Sequence, residues 1–328
     1  MTLRFFSIVP AIGAVLIASL MNGRALALDD VKVHTSGSTS ANVVIYKIAQ
    51  EQGFYKEENL NVLTIAATSQ AGIQGLVGGS FDFSQILGQT SAAILHGAPL
   101  KNVMVFDTKP LFWFFGSKKI KRVQDLKGGK LVGVSSLGAN TDQMTREILA
   151  MNGIDPRKDV VIQGTGTGAV RLAALMGGSL DAAITNPTES LVARKQGLNE
   201  LFFYGDYDLN IVSGGAALTE RMLKEKPDLV RRFLRGTLRA LLWFRTNEKN
   251  AVARMAEGFK ISPDDALGIY KATLKSYTLD GTISRELQEK IVTFQRKQLK
   301  VEKEVPPETV YDFTILRALN EERKKSRS

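Results

Sequence analysis

Four short segments of this chain gather Ser, Thr, Asn and Gly: Thr35 to Asn42, Thr68 to Gly72, Ser135 to Thr141 and Gly164 to Gly168. Each follows an apolar run of strand character and precedes an apolar pattern with helical spacing. The first turn of a helix has backbone N–H groups without intrahelical partners and a partial positive charge. Small hydroxyl and amide side chains beside such groups suit the capture of an oxyanion: nitrate, sulfonate, carboxylate or phosphate. The same residue types are also ordinary helix caps and turn formers. Taken singly, each segment favours that structural reading. Four segments at matching places favour a binding cleft.

Residues for covalent or metal chemistry are scarce. The chain has no Cys, which removes disulfides, thiol nucleophiles and Cys-ligated zinc. Its two His, His34 and His96, are too far apart to form a helical metal pair. His34 ends a strand and either faces the cleft or packs in the core, whereas His96 precedes Gly97 and reads as a helix end. Gly164-Thr165-Gly166-Thr167-Gly168 matches a dinucleotide fingerprint poorly. The sixth position is Ala169 counted from Gly164 and Arg171 counted from Gly166, and Asn186-Pro187 stands where a ribose-binding acid belongs. There is no Walker A motif. Phe112 to Phe115 reads as a buried strand, with Phe112 or Trp113 near enough to a crossing to touch a solute. No catalytic residue, metal or cofactor is expected.

The elements that hold these segments form a repeat. Gly78-Gly79-Ser80-Phe81-Asp82 and Gly177-Gly178-Ser179-Leu180-Asp181 each close an apolar helix and open an apolar strand, the second half of a βαβ unit. Their acids, Asp82 and Asp181, are expected to accept local hydrogen bonds. Strands are expected at 31–34, 62–67, 83–87 and 103–106, then at 111–116, 131–134, 160–163 and 182–185. The segments 202–204 and 211–217 are read as the return path, and Gly88-Gln89-Thr90 as a loop. From Leu218 onward the pattern is helical, broken at Pro227, Pro263 and Pro306-Pro307. The expected plan is α/β, with lobe 1 at 28–108 plus 212–328, lobe 2 at 109–211, and two crossings between them.

Arg4, the apolar run from Phe5 to Met21 and Ala25-Leu26-Ala27 have the pattern of a secretory signal peptide, residues 1–27, cleaved near Ala27. With no Cys after the run, a lipid anchor is excluded, so a soluble periplasmic protein is expected. Loss of Arg4 and Arg24 lowers the formal charge from +10 to +8. The remaining cations are dispersed among acids, which argues against a nucleic-acid partner.

Several segments resemble the periplasmic solute-binding proteins of ABC importers for nitrate, sulfonate and taurine, within the thiamine-pyrimidine-binding superfamily. They are Ala49 to Leu60, Gly78 to Asp82, Val123 to Val134, Met151 to Pro156 and Leu175 to Ala183. Asn59 stands where that family usually has Gly, and Gly128-Gly129 carries one extra Gly. The resemblance implies a type II periplasmic binding fold, two α/β lobes around a ligand cleft joined by two hinge crossings. It implies a ligand-binding set of Ser36, Gly37, Ser38, Thr39, Asn42, Ser69, Gln70, Gln89 and Thr90 from the first lobe. From the second come Ser136, Leu137, Gly138, Asn140, Thr141, Thr165, Thr167 and Asn186. The implied function is capture of a small anionic solute, sulfonate-, nitrate- or carboxylate-like, by a monomer that delivers it to a membrane permease. The loops carry no Arg or Lys, so a neutral or aromatic solute stays open. Two alternatives remain: a periplasmic sensing subunit, and a pyrimidine-synthesising enzyme on the same fold, which the lack of Cys opposes.

Overall fold

The computed structural model describes residues 28–35, 42–207 and 209–326. Residues 1–27, expected from the sequence to be a signal peptide, lie outside them. The strands are β1 (Asp29–Thr35), β2 (Leu60–Ala66), β3 (Phe83–Ile86), β4 (Leu100–Val105), β5 (Trp113–Gly116), β6 (Lys130–Val134), β7 (Val160–Gly164), β8 (Ala182–Thr185), β9 (Asn199–Phe203) and β10 (Gly214–Thr219). The helices before the last strand are α1 (Val43–Glu51), α2 (Phe54–Glu57), α3 (Ser69–Val77), α4 (Leu87–Leu95), α5 (Asn140–Met151), α6 (Gly168–Met176) and α7 (Pro187–Lys195). Those after it are α8 (Glu220–Glu225), α9 (Pro227–Thr246), α10 (Glu248–Phe259), α11 (Pro263–Ser276), α12 (Arg285–Leu299), α13 (Pro307–Val310) and α14 (Thr314–Lys325).

The strands form two five-stranded sheets of matching design, ordered β2-β1-β3-β10-β4 and β7-β6-β8-β5-β9. In the first, β2, β1 and β3 are parallel, and β10 runs antiparallel between β3 and β4. In the second, β7, β6 and β8 are parallel, and β5 runs antiparallel between β8 and β9. The antiparallel strand of each sheet is the one entered directly from the other sheet. The parallel strands are joined through helices, as a parallel connection requires.

The repeat has the same task in both sheets. Gly79 and Gly178 take φ of 79°, a left-handed turn open to glycine. Asp82 then accepts the N–H of Lys32 in β1 at 2.8 Å, and Asp181 that of Leu131 in β6 at 2.9 Å. These acids are local acceptors, as expected, and stitch each helix end to the neighbouring strand.

The core of the first sheet is aromatic. On α9, Val230, Phe233, Leu234, Leu238, Leu241 and Phe244 recur at spacings of three and four, so one face is apolar and buried. Pro227 starts that helix, and Phe233 stacks on Phe83 at 3.8 Å and on Tyr55 at 5.5 Å between ring centroids. In the second sheet Phe114 packs on one face while Trp113 and Phe115 pack on the other, the period of a strand covered on both sides. Trp113, Phe114 and Phe115 thus lie in a buried strand, whereas Phe112 precedes it and is half-buried.

Two local readings need correction. Gly88, Gln89 and Thr90 are not a loop, because α4 begins at Leu87, directly after β3. The segment from Phe83 to Leu95 contains no Pro, Asn or Asp, and the helix tolerates Gly88. Phe202 is not on the return path: it pairs with Phe114 as part of β9, and the return starts after Phe203. Among the described residues no helix is long and apolar enough to cross a membrane.

Candidate functional site

Helices α1, α4, α5, α6 and α7 begin beyond the carboxyl ends of β1, β3, β6, β7 and β8. Among the described residues none of the five has a side-chain cap. Elsewhere, Thr219, Ser262 and Ser284 cap α8, α11 and α12 in the usual way, whereas α2, α9, α10, α13 and α14 also start without a side-chain cap; what sets the five apart is their place at the ends of parallel strands. Asn42, Thr167 and Asn186 occupy N-cap positions and are of capping type, yet they leave the first-turn N–H groups uncapped. The first turns of α1, α4 and α6 also carry no acid. Helix α3 differs, because the Thr68 hydroxyl accepts the N–H of Ala71 at 3.3 Å.

The two sheets meet at the return segment Val212–Gly214. From the second lobe, Asn140 donates Nδ2 to the Val212 carbonyl at 3.1 Å. Its amide lies against Gly88 of α4, so closely that a Cβ at Gly88 would collide with it. From the first lobe, Asn42 donates Nδ2 to Asp107 Oδ2 at 3.1 Å, with its amide against Gly214. Asp107 Oδ1 accepts the N–H groups of Ser213 and Gly214 at 3.0 and 2.8 Å. One buried carboxylate thereby holds both crossings. Burial pushes its pKa up, opposed by the bonds from Gly214, Asn42 and Ser213. The Oδ1 atoms of Asn42 and Asn140 and the Ser213 hydroxyl are buried and make no hydrogen bond to any described residue.

In the second lobe, Thr165 and Gly166 extend the β6–β7 ladder by donating to Val134 and Ser135 carbonyls at 2.8 and 3.0 Å. Ser136 lies beside Gly164, and Thr141 accepts the Ser135 N–H at 3.1 Å. Asn186 and Glu189 close over Gly168. Arg171 is buried beneath this loop, with Nε on the Ile184 carbonyl at 2.8 Å and Nη1 on the Gly166 carbonyl. Desolvation lowers its pKa, while Glu189 and Tyr204 oppose the shift. Its guanidinium braces the loop from behind.

Of the expected ligand set, Ser36, Gly37, Ser38 and Thr39 lie outside the described residues. Asn42 and Asn140 converge on 212–214, and Ser136, Thr141 and Thr165 share one corner of the second lobe. Leu137, Gly138 and Thr167 are exposed, and Asn186 is half-buried. Ser69 and Gln70 form the start of α3, and Gln89 is half-buried on α4. Thr90 is turned toward β4, its hydroxyl 2.7 Å from Asn102 Oδ1. His34 is wholly buried, with Nδ1 2.9 Å from Ser84 Oγ, Nε2 3.3 Å from the Ala67 carbonyl, and its ring against Gly72. It is therefore a packed, bonded histidine. Sequence reading missed Asp107, Gly88 and Val212–Gly214. The only signal was an acid directly after the apolar run Val103 to Phe106.

A family model described as NMT1/THI5 like matches residues 40–251. The chain belongs to the NMT1/THI5-like family. Solved structures similar to this NMT1/THI5-like protein share its fold at low identity. The alkanesulfonate-binding protein SsuA of Xanthomonas axonopodis has TM-score 0.71 at 15% identity, covering 87% of this chain and 98% of that one. The periplasmic nitrate-binding protein NrtA of Synechocystis has TM-score 0.69 at 14% identity, covering 91% and 89%. The desulfurization enzyme DSZB has TM-score 0.66 at 13% identity, covering 90% and 99%. These likenesses establish the type II periplasmic binding protein fold. No curated protein matches the NMT1/THI5-like chain in sequence.

Proposed function

We propose that this protein is a non-enzymatic periplasmic solute-binding protein that captures a small oxyanion-bearing solute and delivers it to an ABC importer permease. The observation that carries the reading is the five uncapped helix starts beyond the parallel strands. Uncapped first-turn N–H groups offer donors and partial positive charge to sulfonate, nitrate or carboxylate oxygens. Ligands of open α/β sheets sit at those carboxyl ends. In this reading 28–108 with 212–328 form one lobe, 109–211 form the other, and the crossings at 106–112 and 204–213 are the hinge. Sulfonate- and nitrate-binding neighbours support the solute class, and the family model supports the general role. Catalysis is disfavoured by the lack of Cys and by the bonding of His34 to Ser84 and Ala67.

The test is a thermal-shift screen of 28–328 against nitrate, alkyl and aryl sulfonates, aromatic carboxylates and pyrimidines. A solute at about a hundred times its dissociation constant adds about 2.7 kcal/mol and raises the melting point by several degrees. Recovery of the hit unchanged after incubation is expected, and turnover would replace the carrier reading with an enzyme. Asn140→Trp should abolish the shift and leave the empty protein's melting point nearly unchanged. No shift from any oxyanion would overturn the solute class.

A further inference from the structure

Asp107 stands where the two crossings touch, 2% exposed, and spends its two oxygens on different partners. Oδ1 holds the return segment through the N–H groups of Ser213 and Gly214, and Oδ2 faces Asn42 Nδ2. A carboxylate only accepts, whereas a carboxamide has one donating and one accepting end. The carboxylate therefore decides which way the Asn42 amide turns: Nδ2 toward the hinge, Oδ1 away from it. Asn42 is 6% exposed, and that Oδ1 has no hydrogen-bond partner among the described residues. Asn140, 7% exposed, repeats the arrangement from the other lobe: the Val212 carbonyl takes its Nδ2 and leaves Oδ1 unpartnered. Buried carbonyl oxygens without a donor are costly, and a bound solute with a donor in reach would satisfy them.

We infer that Asp107 is a specificity-determining positioning residue. It turns the Asn42 amide so that an oxygen, and not an NH2 group, lines the solute cleft. Asp107 itself does not touch the solute. The cleft then prefers an oxyanion that also presents an N–H or O–H donor to Asn42 Oδ1. This inference rests on the solute-binding reading above.

The experiment uses matched pairs in which one member donates and the other only accepts: glycolate against methoxyacetate, and 2-hydroxyethanesulfonate against 2-methoxyethanesulfonate. Calorimetry on the wild-type protein gives the hydroxyl-to-methoxy affinity ratio for each pair. The extra methyl affects the absolute ratio, so the informative quantity is its change on substitution. In Asp107→Asn, the new amide still accepts the hinge N–H groups but offers its own NH2 to Asn42. The Asn42 amide then turns over and presents NH2 to the cleft, and the ratio falls at least tenfold. In the double variant Asp107→Asn/Asn42→Asp, the carboxylate at 42 accepts from the amide at 107 and again presents an oxygen, so the ratio recovers. A purely structural role for Asp107 predicts equal weakening of both members and no recovery, and that result overturns the inference. An unchanged ratio in Asp107→Asn with both members bound overturns it too. If the wild-type protein binds neither member of either pair, the preference for a donor-bearing oxyanion is wrong and this inference falls, whereas the oxyanion reading stands or falls with the thermal-shift screen.

Discussion

Replacing Gly88 by Ala tests whether the lobes meet where α4 and α5 are placed. A Cβ at Gly88 would lie 1.8 Å from Asn140 Oδ1, against 3.4 Å where ordinary contact begins, a shortfall of about 1.6 Å. The methyl must displace the amide, and that breaks the 3.1 Å bond from Asn140 to the Val212 carbonyl. Such a bond contributes about 0.5–1.5 kcal/mol, and about 1.4 kcal/mol is a tenfold change in affinity. Solute affinity by calorimetry should therefore fall by about two- to tenfold. The unfolding free energy of the empty protein should move the other way or not at all. Gly88 sits in a helix without positive φ, where Ala is favoured over Gly by up to about 1 kcal/mol, and an empty protein can relieve the collision by opening at the hinge. Unaltered affinity would refute closure at this contact. A stability loss in the empty protein matching the affinity loss would show that the Asn140–Gly88 contact is ordinary core, not a closure contact.

Three further outcomes are expected. Phe233→Ala should cost about 3–5 kcal/mol in urea unfolding, because the ring fills the stack between Phe83 and Tyr55; a loss below about 1 kcal/mol would mean the stack is not a rigid core. Burial holds the His34 pKa below its usual 6.5, so the unfolded chain takes up the proton first as pH falls. Stability should be full above that pH and decline as pH drops through it. His34→Gln should flatten the profile between about pH 5 and 7, and parallel profiles would rule out the linkage. Arg171→Met removes the braces on the Ile184 and Gly166 carbonyls. Amide hydrogen exchange in 164–168 should accelerate while that of β1 and β3 stays unchanged, and equal rates in 164–168 would show that the loop holds itself.

Local patterns in the chain carried far more of the fold than of the site. The repeat was legible because Gly-Gly-Ser-x-Asp is a local device: a left-handed Gly ends the helix, and the acid bonds the adjacent strand. The buried aromatic strand was legible from its residue types alone. The start of α4 was not, because Gly88 reads as a breaker in sequence and its reason for being Gly is Asn140, which arrives from the other lobe. Capping residues at Asn42, Thr167 and Asn186 were legible as types. That they do not cap their own helices is a matter of side-chain direction, set for Asn42 by Asp107, which is distant in sequence.

By itself, then, the sequence determined the α/β repeat, the strand-to-helix loops with their small polar residues, and the absence of thiol chemistry. Each of these depends on neighbours within a few residues or on composition. Only the tertiary structure decided which end of each asparagine amide is left over. Asp107 reaches Asn42 and Ser213, and Asn140 reaches Val212 and Gly88, across separations that a linear pattern does not encode. A carboxamide carries a donor and an acceptor on one planar group, so its chemistry toward a solute is fixed only when the partner of its other end is in place.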